Sequence, residues 1–289
     1  MCIEKSHKRV YITIDTEMDS DLRWKRHWPA SFTSVIQGIP NILRPIWNKY
    51  KVHPIYFVSP EVLYDETCCK VLKNEIENGS IIGAHLHFEY VDPNMVWDER
   101  VSKIVPGFPG YELSTMEEYE KITNLKSLIE KKLGITPEWY RAARFGLGEN
   151  TIANLKKSGF KYDSSITPGI SWGQVLNYKN YDNRIFQYPN GIIEFPITIT
   201  GKRFGFLGKL LPDNWIFYKW LRPTNMTWFE QKSLIREISN ENRSMVMMFH
   251  STEIMPQKSP YVWGPLSQRY FIWKLKKVLE YTSDQGYTL

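Results

Sequence analysis

The chain has 289 residues, of which 42% are hydrophobic, 15% aromatic and 24% charged. This length fits one large α/β domain or two small ones, and it allows a substantial core. The net charge of +6 is spread along the chain and no RNA- or DNA-binding motif is present, so we expect an anionic substrate to be tolerated but no nucleic-acid partner.

The beginning of the chain and its cysteines predict a cytoplasmic protein. Residues 1–9 are polar and lack the apolar stretch of a secretory signal. No uninterrupted apolar run reaches the ~20 residues that span a bilayer. The three cysteines, Cys2, Cys68 and Cys69, are few and odd in number, which is typical of a reducing compartment.

Apolar, β-rich runs alternate with helical patterns along the chain. Strands are predicted at 10–14, 54–59, 81–84, 138–142, 192–198 and 245–249. Helices are predicted at 60–78, 116–133, 150–158, 227–240 and 267–282. Gly79 and Gly134 are expected to end two of these helices, and Thr115 with Glu118 to form a capping box. With no linker or repeat, 1–289 is predicted to be a single domain.

Polar residues follow several of the predicted strands. Asp15, His85, Arg141 and His250 each stand at the carboxyl end of an apolar run. The alternation of strands and helices favours a parallel sheet, either open or closed into a barrel. Convergence of side chains from several strand ends on one face is what a (β/α) barrel provides. We therefore predict a barrel with these residues at one end.

The first of these segments carries three carboxylates, Asp15, Glu17 and Asp19. In extended backbone they share one face, so that one carboxylate is available to bind a metal and another to act as a base. The same pattern is also common where a strand enters a solvated acidic loop. Taken alone, the acidic segment leaves both interpretations open.

The second segment places His85 and His87 two residues apart at a strand end. Their Cα atoms would lie ~6–7 Å apart on the same face of an extended strand. That separation lets two Zn–N bonds of about 2.0–2.1 Å converge on one ion. The alternative is that one histidine packs in the strand and the other lies on the surface.

Two further segments follow predicted strands: one contains two arginines, and the other is a Phe-His pair. Arg141 and Arg144 lie three residues apart, where a guanidinium can orient a catalytic carboxylate or form an ordinary surface ion pair. His250 ends a strongly apolar strand, a place where a lone histidine is more often structural than catalytic. Four such segments at the ends of different strands favour a functional site.

In their order along the chain, these motifs resemble the polysaccharide deacetylases, the family-four carbohydrate esterases, from Val10 to the C-terminus. The matching segments are Ile-Asp-Thr-Glu at 14–17, Gly-Ala-His-Leu-His at 83–87, Tyr-Arg-Ala-Ala-Arg-Phe-Gly at 140–146, Lys-Tyr-Asp-Ser-Ser at 161–165, Glu-Phe-Pro-Ile-Thr at 194–198 and Phe-His at 249–250. The resemblance implies a deformed (β/α) barrel that holds Zn²⁺ or another divalent ion through one carboxylate and two histidines. It further implies Asp15 as general base, His250 as general acid and Arg141 as the residue that orients Asp15.

The sequence departs from the family pattern at three points. Thr16 stands where the family has a second aspartate, so Glu17 is the expected metal carboxylate, with Asp19 as the alternative. The histidines are two residues apart where the family has four, and His87 is the expected second ligand. The arginine motif lacks its usual prolines, which leaves Arg141 and Arg144 both eligible.

The predicted function is metal-dependent removal of an N-acetyl group from a sugar of a surface-polysaccharide precursor, nucleotide- or lipid-linked. Arg144 and Trp263 are predicted to bind this substrate. The alternatives are a hydrolase of non-sugar amides and a non-catalytic carbohydrate-binding protein. Segment 201–223 interleaves basic and aromatic residues. We interpret it as a packed insertion over the barrel mouth, with peripheral membrane contact as the competing interpretation.

Overall fold

An eight-stranded sheet organises the residues that the computed structural model describes, which are 8–104, 107–172, 176–202, 218–224 and 226–289. Its strand order is β12-β1-β2-β3-β4-β5-β9-β8, and only β8 runs antiparallel to its neighbour. The strands are β1 Val10–Thr16, β2 Ile55–Val58, β3 Ile81–Leu86, β4 Trp139–Ala142, β5 Tyr162–Asp163, β8 Phe186–Gln187, β9 Ile193–Glu194 and β12 Met245–His250. Two small antiparallel pairs lie outside it: β6 Ser171–Trp172 with β7 Leu176–Asn177, and β10 Ile199–Lys202 with β11 Tyr218–Trp220.

Helices connect the parallel strands. They are α1 Arg44–Tyr50, α2 Glu66–Glu77, α3 Pro109–Glu112, α4 Thr115–Leu133, α5 Thr151–Lys157, α6 Trp228–Asn240 and α7 Pro265–Asp284. Short 3₁₀ turns cover 60–64, 88–90, 99–103, 143–145 and 251–254. The central strands are buried on both faces, as expected for a parallel sheet covered by helices.

The sheet closes into a deformed barrel through irregular backbone. Thr198 follows β9, and its N–H donates to the carbonyl of Val246 in β12 at 3.0 Å. Leu221 N–H donates to Thr198 O at 2.9 Å, and Met248 N–H donates to Leu221 O at 3.2 Å. The gap beside β12 is therefore bridged by Thr198 and Leu221, which both lie outside the regular strands. The predicted (β/α) barrel is confirmed, with its deformation concentrated at this closure.

The register of the strands aligns the polar residues at their carboxyl ends. Asp15 in β1 pairs with His250 in β12, and His85 in β3 pairs with Arg141 in β4. Each of these residues comes after an apolar stretch that fills the core, so the buried strand fixes the position of the polar side chain that follows. The sheet thus delivers four of the predicted residues to one end of the barrel.

Two of the predicted helices have different boundaries in the structure. The predicted helix at 60–78 is a 3₁₀ turn followed by α2, because Asp65 accepts from Cys68 N–H and begins a new helix there. Helix α4 begins one residue earlier than predicted, since Ser114 caps it and the expected Thr115–Glu118 capping box does not form. Gly134 ends α4 with a φ of 76°, as predicted.

One long helical segment was missed. A π-helix at Ser34–Leu43 continues directly into α1, although Pro40 and Pro45 interrupt the helical pattern in the sequence. Proline removes one backbone donor and usually ends a helix, so the segment resembles a loop when read as sequence. In the described part of the chain, no helix combines the length and apolar character that crossing a bilayer requires.

Candidate metal centre and catalytic cavity

A cavity of about 290 Å³ opens at the carboxyl end of the barrel. It brings together most of the predicted site residues: Asp15, Glu17, His85, His87, Arg144 and His250. Arg141 lies fully buried directly behind Asp15. Trp263 does not line this cavity and instead borders a separate surface cavity. The predicted substrate role of Trp263 therefore has no support from the cavity geometry.

The end of β1 separates the roles of the two candidate metal carboxylates. Because the strand stops at Thr16, the backbone turns, and Glu17 N–H is 3.3 Å from Ser251 Oγ. Asp19 points elsewhere: its carboxylate accepts from Thr33 N–H at 2.8 Å and Ser34 N–H at 3.1 Å. Asp19 therefore holds the beginning of the 34–43 helix, and Glu17 is the carboxylate that faces the histidines.

Glu17, His85 and His87 form a compact cluster of metal-ligating atoms. Glu17 Oε1 lies 3.1 Å from Nε2 of both His85 and His87, and the three ligand atoms all lie within 4.8 Å of one another. All three side chains are buried. One carboxylate and two imidazoles form a donor set suited to Zn²⁺ and similar divalent ions.

The surroundings of the two imidazoles leave their Nε2 atoms available to an ion. His85 Nδ1 is 3.0 Å from the carbonyl of Arg141, and His87 Nδ1 is 3.3 Å from Glu89 Oε1. The carbonyl favours a proton on Nδ1 of His85, as is common for metal-bound histidines. His87 Nδ1 also lies 3.3 Å from Nη2 of both Arg26 and Arg144. His87 Nε2 is buried and forms no hydrogen bond in the described structure, despite its proximity to Glu17. This unsatisfied atom is what a bound cation would satisfy, so the residues fit a metal ion.

Charges around the cluster keep its carboxylates ionised. Burial alone would raise the pKa of Glu17, but the charge of His87 and a hydrogen bond with His85 lower that pKa well below its usual value. The pKa of Glu89 is likewise held well below its usual value, because His87, Arg144 and Arg26 outweigh the effect of burial. A metal ion bound at this cluster would compete with protons for the imidazole nitrogens of His85 and His87.

Two arginines bracket this cluster. Arg26 Nη2 donates to Glu17 Oε2 at 3.0 Å, and Arg26 Nη1 donates to Glu89 Oε1 at 3.2 Å. Arg144 donates to Glu89 and to the carbonyl of Gly107, in a backbone conformation with a φ of 56°. Sequence analysis missed Arg26 and Glu89. Glu89 had a signal, since it lies two residues after His87, whereas Arg26 lies in a loop without a recognisable pattern.

Asp15 and Arg141 form a buried ion pair beside the metal cluster. Arg141 Nη1 donates to Asp15 Oδ1 at 2.6 Å, while its other nitrogens donate to Thr13 Oγ1 and to Ser164. Burial alone would raise the pKa of Asp15, but Arg141 first, then His85 and His250, lower it. Asp15 is therefore ionised near neutral pH, as a general base requires.

His250 faces the two carboxylates from the neighbouring strand β12. Its Nε2 lies 3.9 Å from Asp15 Oδ2 and 3.8 Å from Glu17 Oε1. Its Nδ1 lies 2.9 Å from Glu253 Oε1, which fixes the orientation of the ring. Arg222 binds Glu253 in turn, and against the effect of burial it helps to lower the pKa of this carboxyl to about 2. Sequence analysis missed both residues, although Glu253 lies only three residues after His250.

Aromatic rings form much of the cavity wall. Trp24 lies against His250 with ring centroids 5.1 Å apart, and Trp172 stacks on Phe145 at 5.8 Å. Trp220 also lines the cavity, which places the described end of segment 201–223 at the barrel mouth. Residues 203–217 of that segment lie outside the described residues. The expected packing at the mouth holds for its end at 218–223, where Trp220 and Leu221 are buried.

Comparison with known proteins returned only solved structures. No protein-family model and no curated protein matches the chain. A peptidoglycan deacetylase from Bacillus subtilis is 14% identical, with a TM-score of 0.45 over 99% of this chain and 89% of that chain. A polysaccharide deacetylase from Bacillus cereus is 12% identical, with a TM-score of 0.45 over 97% and 90%. A CE4 family pseudoenzyme from Bacillus anthracis is 10% identical, with a TM-score of 0.48 over 98% and 63%.

The matching structures thus include two deacetylases and a pseudoenzyme. The topology observed here agrees with the barrel that the resemblance implied. The chain resembles the polysaccharide deacetylases in the order of its motifs, and its deformed parallel barrel brings the segments at 14–17, 83–87, 140–146 and 249–250 to one cavity.

Proposed function

We propose that the protein is a metal-dependent hydrolase that removes an N-acetyl group from a sugar of a surface-polysaccharide precursor. One observation carries this proposal: a Glu17–His85–His87 cluster with an unsatisfied buried nitrogen shares one cavity with Asp15 and His250. A metal site alone fits many roles. A metal site flanked by an ionised carboxylate and an oriented imidazole fits hydrolysis of an amide.

Glu17, His85 and His87 would hold Zn²⁺ or another divalent ion. When bound, such an ion supplies Lewis-acid chemistry, polarising a carbonyl oxygen and making water more acidic. The chain contributes the orientation of the ligands. Arg26 binds Glu17 Oε2 and leaves Oε1 facing the imidazoles, while Glu89 and the Arg141 carbonyl hold the two Nδ1 atoms.

Asp15 and His250 would divide the proton transfers between them. Asp15 is kept ionised by Arg141 and accepts the proton of the attacking water. His250 lies beside Asp15 on the neighbouring strand, with its ring held by Glu253 and its Nε2 directed towards the carboxylates. From there it can donate a proton to the departing amine, which leaves as a neutral group. The two residues are paired strand neighbours, so the sheet fixes their separation.

The cavity favours a sugar-sized substrate. Its volume of about 290 Å³ is at the small end of the range for small-molecule sites, so it accommodates a compact ring with an acyl group. The rings of Trp24, Trp172 and Trp220 offer flat apolar surfaces of the kind against which sugar rings stack. Arg144, at the cavity wall, supplies donors for hydroxyl or acidic substituents of the substrate.

Acetate release tests this proposal. Purified protein is loaded with Zn²⁺ and incubated with N-acetylated nucleotide sugars, oligosaccharides and lipid-linked sugars, and acetate is quantified. We expect release from at least one sugar class, with loss of turnover in Asp15→Asn. Thr33→Val, which removes a hydroxyl outside the cavity, is the matched control and should retain turnover.

Two results would redirect the proposal. Stoichiometric metal with acetate release only from non-sugar amides would assign the protein to amide hydrolysis on the same barrel. Sugar binding without any bound ion, before or after addition of Zn²⁺, would make it a non-catalytic carbohydrate-binding protein. Either result contradicts the proposed deacetylase.

A further inference from the structure

Exposed apolar side chains concentrate on one face beside helix α7. Among the described residues, twelve large hydrophobic side chains are exposed, and four of them lie on or just before α7. We call these four the apolar patch: Trp263, Leu266, Tyr270 and Trp273. Exposed apolar groups scattered singly are ordinary, whereas a group of this kind marks an interaction surface.

The members of the apolar patch are contiguous. Leu266, Tyr270 and Trp273 recur at helical spacing and share one side of α7. The rings of Tyr270 and Trp273 stack at 5.7 Å. Trp263, Leu266 and Tyr270 border a surface cavity of about 510 Å³. The patch is therefore one continuous surface with a hollow in it.

Basic residues accompany the apolar patch. Helix α7 contains four cationic residues, Arg269, Lys274, Lys276 and Lys277, and two acidic ones, Glu280 and Asp284, both at its carboxyl end. Lys274 is buried and Lys277 pairs with Glu280. In the part of the chain that the structure describes, Arg269 and Lys276 form no ion pair. Exposed tryptophan and tyrosine beside lysine and arginine are typical of helices that lie in the interface of an anionic membrane.

Self-association explains this surface less well. In a two-fold dimer the same patch would meet its own copy, which would bring two sets of Arg269 and Lys276 into one interface. The acidic residues of α7 are Glu280 and Asp284, at its carboxyl end, and Glu280 is paired with Lys277. Anionic headgroups supply the missing negative charge.

We propose that the apolar patch docks the protein on a bilayer that contains anionic phospholipids. The aromatic rings then lie at headgroup level, and Arg269 and Lys276 pair with lipid phosphates. Tyr261 lines both the surface cavity and the catalytic cavity, so docking brings the catalytic cavity close to the lipid surface. The docking proposal does not depend on the deacetylase proposal, because membrane binding requires neither the metal ion nor turnover.

Vesicle cosedimentation tests the docking surface. Full-length protein is spun with vesicles of phosphatidylcholine alone and with vesicles that also contain phosphatidylglycerol. We expect sedimentation with the mixed vesicles, and at least about a tenfold weaker partition for the Leu266→Ser/Trp273→Ser variant. Arg269→Glu/Lys276→Glu should weaken partition comparably, since each interfacial cation contributes a several-fold effect.

Matched controls separate the patch from general surface changes. Met116→Ser removes an exposed apolar side chain from α4, and Lys70→Glu/Lys73→Glu reverses two exposed charges on α2, so both should bind like the wild type. Equal sedimentation with and without vesicles would overturn the proposal. So would a concentration-dependent dimer that the Leu266→Ser/Trp273→Ser variant abolishes, since it would assign the patch to a second copy. Turnover of a soluble sugar should be unchanged in all four variants, which distinguishes failure of docking from failure of the deacetylase proposal.

Discussion

Arg141 reaches from β4 to Asp15 in β1, and its Nη1 lies 2.6 Å from Asp15 Oδ1 at the centre of the barrel end. The guanidinium is fully buried and lies over the ring of Phe57, with its carbon 4.2 Å from the ring centroid. Its carbonyl also accepts from His85. One residue thus supports both the proposed base and one of the proposed metal ligands.

Loss of this arginine should change the pH dependence of turnover. Without Arg141, burial would dominate and the pKa of Asp15 would rise. Because the base must be ionised, the acidic limb of the kcat/KM profile of Arg141→Met should move to higher pH. The variant also leaves a buried carboxylate unpaired, which costs about 3–5 kcal/mol of stability. Its folding is therefore checked by circular dichroism before kinetics, and an unshifted profile in folded protein would contradict the role of Arg141.

Substitution of a metal ligand and substitution of a proton-transfer residue should have different effects on Zn²⁺ binding. His85→Ala and His87→Ala each remove one of three ligand atoms, so each should reduce Zn²⁺ affinity by more than about 100-fold. His250→Ala should retain the ion and lose turnover, since His250 is outside the ligand cluster. His27→Ala changes an exposed histidine and is the matched control. Metal retention by the ligand variants, with loss in His250→Ala, would show that the roles are exchanged.

Lys121 should influence the metal site from a distance. Its ammonium group donates to the carbonyls of Phe88, Val91 and Pro93, and it thereby fixes the loop that begins at His87 and carries Glu89. Lys121→Met removes all three hydrogen bonds and should weaken Zn²⁺ binding by about 10-fold, as loss of outer-shell support does elsewhere. Isothermal titration measures the affinity. Lys126→Met, on the same helix, loses a hydrogen bond to Ser158 and should bind Zn²⁺ normally.

A buried acid pair should make stability depend on pH. Glu194 and Asp163 are paired neighbours in β9 and β5, and burial followed by their mutual interaction raises the pKa of Glu194 well above its usual value. The neutral form is favoured in the folded state, so this stabilisation is fully present below about pH 4.3, the unfolded pKa, and is lost as pH rises through the folded pKa.

Glu194→Gln carries no titrating proton and should abolish that part of the pH dependence. Urea unfolding at pH 5 and pH 8 measures the change. The wild type should lose more free energy of unfolding between the two pH values than Glu194→Gln does. Glu149→Gln, at an exposed position, should behave like the wild type. An equal loss of free energy of unfolding between pH 5 and pH 8 in all three proteins would contradict the raised pKa of Glu194.

The sequence predicted the strand ends well because their physical signal is local. An apolar run such as Met245–Phe249 must be buried, and the polar residue that follows it must lie at the edge of the sheet. The motifs could not decide between Glu17 and Asp19, since both would share a face if β1 continued. The strand ends at Thr16, and the choice depends on where the 34–43 helix begins in space.

Other parts of the site depend on contacts between distant segments. Arg26 reaches Glu17 and Glu89 from a loop, and Arg222 reaches Glu253 across 31 positions of sequence. Such pairs leave no periodic trace in the sequence. Trp263 is the reverse case. Its aromatic side chain suggested the wall of a sugar-binding cleft, but its position places it in the apolar patch.

Metal content is the most direct test of the central claim that Glu17, His85 and His87 hold a catalytic ion. Protein equilibrated with Zn²⁺ and freed of excess ion is analysed by elemental mass spectrometry. We predict one ion per chain in the wild type and in His250→Ala, and little in Glu17→Ala, His85→Ala or His87→Ala. A wild type that retains no ion, or ligand variants that retain it fully, would contradict the account.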